Sequence, residues 1–321
     1  MATRAPSPTP PIPVLIDTDP GIDDCLAVLL ALASPELAVR GIAVSYGNTI
    51  LEHAHRNAVE ILRRAGARVP VGVSARRPLR RPLAVALETH GESGLGHAAV
   101  PAAGSVLDFA TSLDRLLDAQ PGPVTLVTLG PVSGLAKALR RDAGLVRAKV
   151  ARHVAMAGTF EAPGNTTPYA EFNAWCDPEA LDRVLRAELP TDLIGLDVTR
   201  QIVLTSAEVE ALATAGPDAR WLHDALRFYV EFHRRYESLE GCVVNDVLPI
   251  AALIDPTVLT LAPLRVAVRQ PDGDERGRTL VDPEGARARV ATAVRPEPVR
   301  DLLFDRVLRR AARAATTEVS T

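Results

Sequence analysis

Val14-Leu15-Ile16-Asp17-Thr18-Asp19-Pro20-Gly21-Ile22-Asp23-Asp24 decides how the 321-residue chain is read, because an apolar run ends in four carboxylates within eight positions. Val14 to Ile16 reads as a buried strand and Pro20-Gly21 as turn chemistry. Asp23 to Ala33 has helical periodicity, with acids in the first turn where the helix dipole favours them. The acids therefore gather at the carboxyl end of a strand, the edge of an open α/β sheet at which ligands bind. Carboxylates a few ångströms apart repel and raise one another's pKa, unless a hard cation such as Ca²⁺ or Mg²⁺ neutralises them through oxygen ligands. Capping and turn formation explain any one of these aspartates; four at this spacing favour a metal site. An EF-hand loop is excluded, since Gly21 stands where the third acid belongs and no Glu closes twelve residues. A phosphate loop is excluded because no Gly-Lys-Ser/Thr follows the turn.

Working outward, Leu37 to Ser45 is a β-rich run ending in Tyr46-Gly47-Asn48-Thr49, and Leu51 to Ala65 returns to helical spacing. Strands follow at Val124–Leu129, Val150–Ala157 and Asp192–Leu196. Helices are expected at Ser105–Ala119, from Ser133, at Pro178–Arg186, Ser206–Ala215 and Trp221–Tyr236. Thr257–Val268 and Arg289–Val294 read as strands around a polar hairpin, before a last helix through Arg313. The β-α-β-α rhythm predicts an α/β fold: one domain with a mostly parallel, Rossmann-like central sheet flanked by helices, its site at the carboxyl ends of the strands. The domain is expected over residues 14–313, after a disordered leader at 1–13 rich in Pro, Ser and Thr and before a flexible tail at 314–321.

Several side chains fall where they can face that site. Asn48 follows the second strand as Asp19 follows the first, although a Gly-Asn turn would explain it alone. The carbonyl of Leu129, leaving a strand end, suits a hard cation. Ala170-Glu171-Phe172-Asn173 places a carboxylate and an amide around a ring, a combination that suits a sugar; a capping turn is the competing account, more for Asn173 than for Glu171. His90-Gly91-Glu92-Ser93-Gly94-Leu95 begins like a nucleophile elbow but has Leu95 where the last Gly belongs, so it reads as a flexible loop, with His90 either touching a ligand or not. His53 and His55 point about 200° apart on a helix and share no ion easily, so a solvated face is expected. Phe228 and Phe232 are expected in the core, while Tyr229 and His233 keep polar tips on one face. Asp246 opens the apolar stretch Val247 to Ile254, where a helix cap is the plain explanation.

Composition narrows the class. The hydrophobic content of 47% supports a substantial core, and the formal charge of −3 offers no platform for nucleic acid. Cys25, Cys176 and Cys242 form no C-x-x-C pattern and read as core residues of a protein in a reducing, cytoplasmic compartment. Nothing reads as a signal peptide or a membrane span.

With these residues in place, the chain resembles the nucleoside hydrolases of the inosine-uridine preferring type, enzymes that cleave the N-glycosidic bond of ribonucleosides. The likeness rests on Asp17 to Asp24, Gly47-Asn48, the His90 to Leu95 segment, Ala170 to Asn173 leading to Asp177-Pro178-Glu179-Ala180, Asp246, and Ile254-Asp255-Pro256. It implies a Ca²⁺ ion held by Asp19, Asp24, Asp246 and the Leu129 carbonyl, with a Ca²⁺-bound water activated by Asp19. It implies Asp23, Asn48 and Asn173 on the 2′ and 3′ hydroxyls, Asn165 and Glu171 on the 5′ hydroxyl, and Met156 beneath the sugar. A small ribonucleoside is the implied partner, in a homodimer or homotetramer. Such chemistry passes through an oxocarbenium-like transition state that needs a base and nearby negative charge, both of which the aspartates supply. One position departs from the pattern: Asn245 stands where the family has a His that assists the leaving base. An amide cannot deliver a proton, and general acid catalysis is worth roughly 10²–10⁴-fold. His233, with Tyr229 or Tyr236, is the expected substitute. Two alternatives follow: an N-ribosyl hydrolase for a modified or nicotinamide-type nucleoside, and a non-catalytic ribose or nucleoside binder.

Overall fold

In the computed structural model, which describes residues 10–101 and 111–313, eleven strands follow one another along the chain. They are β1 (Ile12–Thr18), β2 (Leu37–Ser45), β3 (Val71–Ala75), β4 (Val124–Thr128), β5 (Val150–Met156), β6 (Thr191–Ile194), β7 (Val203–Thr205), β8 (Gly241–Val243), β9 (Leu259–Val268), β10 (Thr279–Val281) and β11 (Ala286–Val294). Nine of them form one sheet in the order β10-β9-β11-β6-β5-β4-β1-β2-β3; β7 and β8 pair separately. From β3 to β11 all neighbours are parallel, and only the β11–β9 and β9–β10 pairs at the other edge are antiparallel. Helices cover both faces, which is why β1 and β4 are continuous apolar or Thr-rich runs rather than alternating ones. The helix Ile22–Leu32 is apolar almost all round for the same reason: nine of its eleven residues are buried.

The chain leaves β1 toward β2 and β3, then returns to β4 on the other side of β1. The carboxyl ends of β1 and β4 therefore flank the point where strand order reverses, the place at which doubly wound sheets bind ligands. Asp17 pairs with Thr128 in register, and the Leu129 N–H donates to the Asp17 carbonyl at 2.8 Å. The aspartate turn and the Gly130 turn thus leave the sheet side by side.

Five local expectations change. Ile12 and Pro13 already belong to β1 rather than to a leader. The helix expected from Ser105 starts at Leu113 and ends at Asp118; Thr111 and Ser112 are not helical because Ser112 bridges to Val73, and residues 102–110 lie outside the described ones. The polar hairpin contains a strand of its own, β10. His55 is buried, because Leu51, Ala54, His55, Ala58 and Ile61 form the inward stripe of their helix, while His53 Nδ1 meets the Glu92 carbonyl at 2.8 Å. Phe228 and Phe232 are only half-buried, since the inward stripe of Pro217–Glu237 runs through Ala219, Leu222, Leu226, Tyr229 and His233 and leaves both beside it. No helix among the described residues is long and apolar enough to cross a membrane.

Candidate active site

At the switch point, Asp19, Asp23, Asp24 and Asp246 are all buried, and ligand oxygens of Asp23, Asp24 and Asp246 lie within 4.8 Å of one another. Asp24 is held from three sides: Oδ2 accepts the Gly21 N–H at 2.9 Å and the Asn48 amide at 2.6 Å, and Oδ1 accepts the Thr18 hydroxyl. Asp23 Oδ2 accepts the Asn245 N–H at 3.2 Å. Asp19 Oδ2 accepts the Asn48 N–H at 2.7 Å, whereas its Oδ1 is buried without a protein partner. Burial and the Asp24 charge push the Asp19 carboxyl well above the usual carboxylate range. The same two causes raise Asp23 to about 7, and burial with the Asp24, Asp23 and Asp19 charges raises Asp246. An all-oxygen, mutually repelling buried set with an orphaned oxygen fits a hard divalent cation. The tightest trio includes Asp23 rather than Asp19, the difference from the ligand set expected above. Asp17 turns away, to the Ser74 hydroxyl at 2.6 Å.

Every residue expected to hold the substrate lines one cavity of about 500 Å³ open to solvent: Asp23, Asn48, His90, Met156, Asn165, Glu171, Phe172, Asn173 and Tyr229. Leu129, Asn245 and Asp246 line it too. The Asn173 amide donates to the Leu129 carbonyl at 2.6 Å and to the Met156 carbonyl at 3.0 Å, leaving its own oxygen as an acceptor. The helix from Pro178, for which capping was weighed, is capped by Asp177, and of the Glu171–Asn173 pair it is Glu171 that caps a helix. Its carboxylate caps the helix Phe172–Cys176 by accepting the N–H groups of Asn173 and Ala174, and it also accepts that of Gly158. Burial nevertheless raises Glu171 to about 7. Asn165 is exposed, its Oδ1 accepting the Phe172 N–H at 2.9 Å.

At the far end, the short helix Leu87–His90 leads into the expected loop, a series of turns closed by the Gly96 N–H on the His90 carbonyl. His90 is buried, its Nδ1 accepts the Ile22 N–H at 3.2 Å, and burial lowers its pKa to about 3, so it stays neutral with the proton on Nε2. Its ring lies 5.2 Å from that of Tyr229, which meets His233 edge-on at 4.5 Å. His233 lines an adjoining lobe with Asn245, Phe232 and Arg200. Its Nδ1 lies 2.8 Å from the Tyr229 carbonyl, which can only accept, so the neutral ring keeps its proton there. Burial lowers the pKa of His233, and the bond to the Tyr229 carbonyl works in the opposite direction. Tyr236 is exposed and packs on Phe232 instead.

Sequence reasoning missed the residues that orient these groups. Thr199 donates its hydroxyl to Asn245 Oδ1 at 2.8 Å, which turns the Asn245 NH₂ outward. The Asp197 carboxylate gathers the N–H groups of Phe160, Glu161 and Ala162 at the start of the Asn165 loop. Asp177 caps the next helix while accepting from Ser133 Oγ and the Leu79 N–H. Thr18, inside the aspartate motif, and Asp177, in the Asp177-Pro178-Glu179-Ala180 element, did carry a signal.

The family model of the inosine-uridine preferring nucleoside hydrolases matches residues 14–301. The chain is 37% identical over 277 residues to pyrimidine-specific ribonucleoside hydrolase RihA of Enterobacter sp. (strain 638), covering 84% of this chain and 88% of that protein. The RihA of Citrobacter koseri is similar to the same extent. Among solved structures, the plant nucleoside hydrolase PpNRh1 superposes with a TM-score of 0.85 at 32% identity, covering 92% of this chain and 99% of that one. The purine-preferring ribonucleoside hydrolase of Gardnerella vaginalis does so with a TM-score of 0.87 at 29% identity, covering 94% and 100%.

Proposed function

This chain belongs to the family of inosine-uridine preferring nucleoside hydrolases, and from that premise we propose that it hydrolyses a pyrimidine ribonucleoside to base and ribose with the help of Ca²⁺. The observation that carries the reading is the buried set of Asp19, Asp23, Asp24 and Asp246 at the switch point of the sheet. Asp19, Asp24, Asp246 and the Leu129 carbonyl would hold the ion, with Asp23 close enough to share it or to take a ribose hydroxyl. When bound, such a cation neutralises the cluster, orients ribose hydroxyls and acidifies a nearby water.

The protein's own groups do the rest. Asp19, with one oxygen tied to Asn48 and the other free, accepts the proton of the attacking water. Asn48 and Asn173 each spend their NH₂ on protein acceptors, so their oxygens receive the 2′ and 3′ hydroxyls. Asn165 takes the 5′ hydroxyl, Glu171 fixes the backbone around it, and Met156 and Phe172 form apolar walls. The aspartates stabilise the positive charge that develops on the sugar as the C1′–N bond lengthens.

The pyrimidine preference follows the printed specificity of the 37% identical relatives; a purine preference is the second reading, favoured by the Gardnerella enzyme's likeness. Release of ribose from uridine, cytidine, inosine and adenosine, with chelator and with Ca²⁺ or Mg²⁺ added back, tests both. Uridine and cytidine are expected to turn over fastest, chelator to stop all four, and Ca²⁺ to restore them. Ribose binding without turnover of any nucleoside would replace the hydrolase by a binding protein.

A further inference from the structure

At the base end of the cavity stands Asn245, an amide that delivers no proton. Its amide oxygen is already taken by Thr199, and the Nδ1 atoms of His90 and His233 are engaged by the Ile22 N–H and the Tyr229 carbonyl. The outer lobe nevertheless contains one permanent cation, Arg200, in the residue after Thr199. Arg200 is half-buried, and one of its amino groups reaches the Gly164 carbonyl at 3.3 Å, a long bond that leaves the rest of the guanidinium available. Glu237 also borders the lobe but is exposed at the rim, and no ion pair joins it to Arg200 among the described residues.

We infer that Arg200 is a catalytic residue for the leaving group: its guanidinium contacts the departing base and stabilises the negative charge that collects there, so the substrate is a nucleoside whose base leaves as an anion. The inference rests on the hydrolase reading above. As the C1′–N bond breaks, its electron pair stays on the base nitrogen and spreads onto the ring carbonyls. The water oxygen bonds to C1′, its proton passes to Asp19, and the freed base takes a proton from solvent. A fixed donor aimed at developing charge does by electrostatics what Asn245 cannot do by proton transfer. The same charge repels a pyridinium ring, which argues against the nicotinamide-type alternative that Asn245 alone would suit.

The test compares wild type, Arg200→Gln and Arg200→Lys, all with Ca²⁺, on uridine, on p-nitrophenyl riboside, whose p-nitrophenolate departs unaided, and on nicotinamide riboside. For Arg200→Gln, kcat on uridine is expected to fall about 10²–10³-fold, as when one charge-stabilising donor is removed, with the aryl riboside changed less than about 3-fold. Arg200→Lys restores part of the uridine rate, and nicotinamide riboside gains from the loss of Arg200. Equal losses on uridine and the aryl riboside, or a rise of KM on both, would make Arg200 an anchor of the Gly164 loop and overturn the inference alone. A wild-type protein inert toward both substrates would overturn the hydrolase reading itself.

Discussion

Gly47 and Gly130 owe their identity to one carboxylate. A Cβ on either would land on the side chain of Asp19, Gly47 facing Oδ2 and Gly130 facing Oδ1. Because Gly130 sits opposite the unpartnered oxygen, Gly130→Ala moves the reacting group without removing it. A displacement on the order of 1 Å costs about 10²-fold in rate, so kcat should fall by about that factor while KM changes little; steady-state kinetics on uridine checks it. Undiminished turnover in Gly130→Ala would mean that Asp19 is not the base. The aspartates were legible in the sequence because four charges in eight positions exceed what local structure needs. Glu171 and Asn173 were legible as a pair but not in their division of labour, since which of them caps a helix depends on where Gly158 and the Leu129 carbonyl come to lie. Thr199 and Asp197 were not legible at all, for their partners Asn245 and the 160–162 backbone are 46 and about 35 residues away and are chosen by packing.

The strands that carry the site read well from sequence because a parallel strand buried on both faces is an apolar run with a turn signal after it. The β10 half of the β9–β10 hairpin did not, since three residues among polar neighbours show no periodicity. That hairpin nonetheless braces the site: Arg276 lies 4.1 Å over Trp175, Thr279 and Thr159 exchange hydrogen bonds, and Arg81 joins Asp272 to Glu179. Across the sheet centre, His153 on β5 links Thr128 on β4 at 2.9 Å and Thr191 on β6 at 3.4 Å. Thr191 donates to the Leu189 carbonyl, so it accepts from Nδ1–H, and the neutral ring then offers Nε2 as an acceptor to the Thr128 hydroxyl. Burial accordingly lowers the pKa of His153 from 6.5 to about 4. Between these values the unfolded chain binds a proton that the folded one refuses, so this residue's contribution to stability is full above pH 6.5 and is lost as pH falls toward 4. From pH 7 to 4.5 the loss is about 2 kcal/mol. Urea unfolding of His153→Gln should show a smaller drop over that interval by this amount, whatever its stability at pH 7. Parallel curves for the two proteins would mean that His153 is protonated in the folded state.

The whole molecule concentrates negative charge where its topology reverses, and folding without a counter-ion must bury carboxylates that repel one another. A cation that binds only the folded state repays this by mass action, about 2.7 kcal/mol when present at 100 times its dissociation constant. Thermal unfolding should therefore shift upward by several degrees when Ca²⁺ replaces chelator at pH 7.5. The shift should shrink at pH 5, because protons compete for the same oxygens. Asp246→Asn separates electrostatics from fold. It removes one repelling charge and one ligand, so it should unfold at a higher temperature than wild type in chelator and yet respond less to Ca²⁺. Wild-type curves that coincide with and without divalent ions would show that the carboxylates are balanced by protons alone, and the switch point would then have to perform its chemistry without a metal.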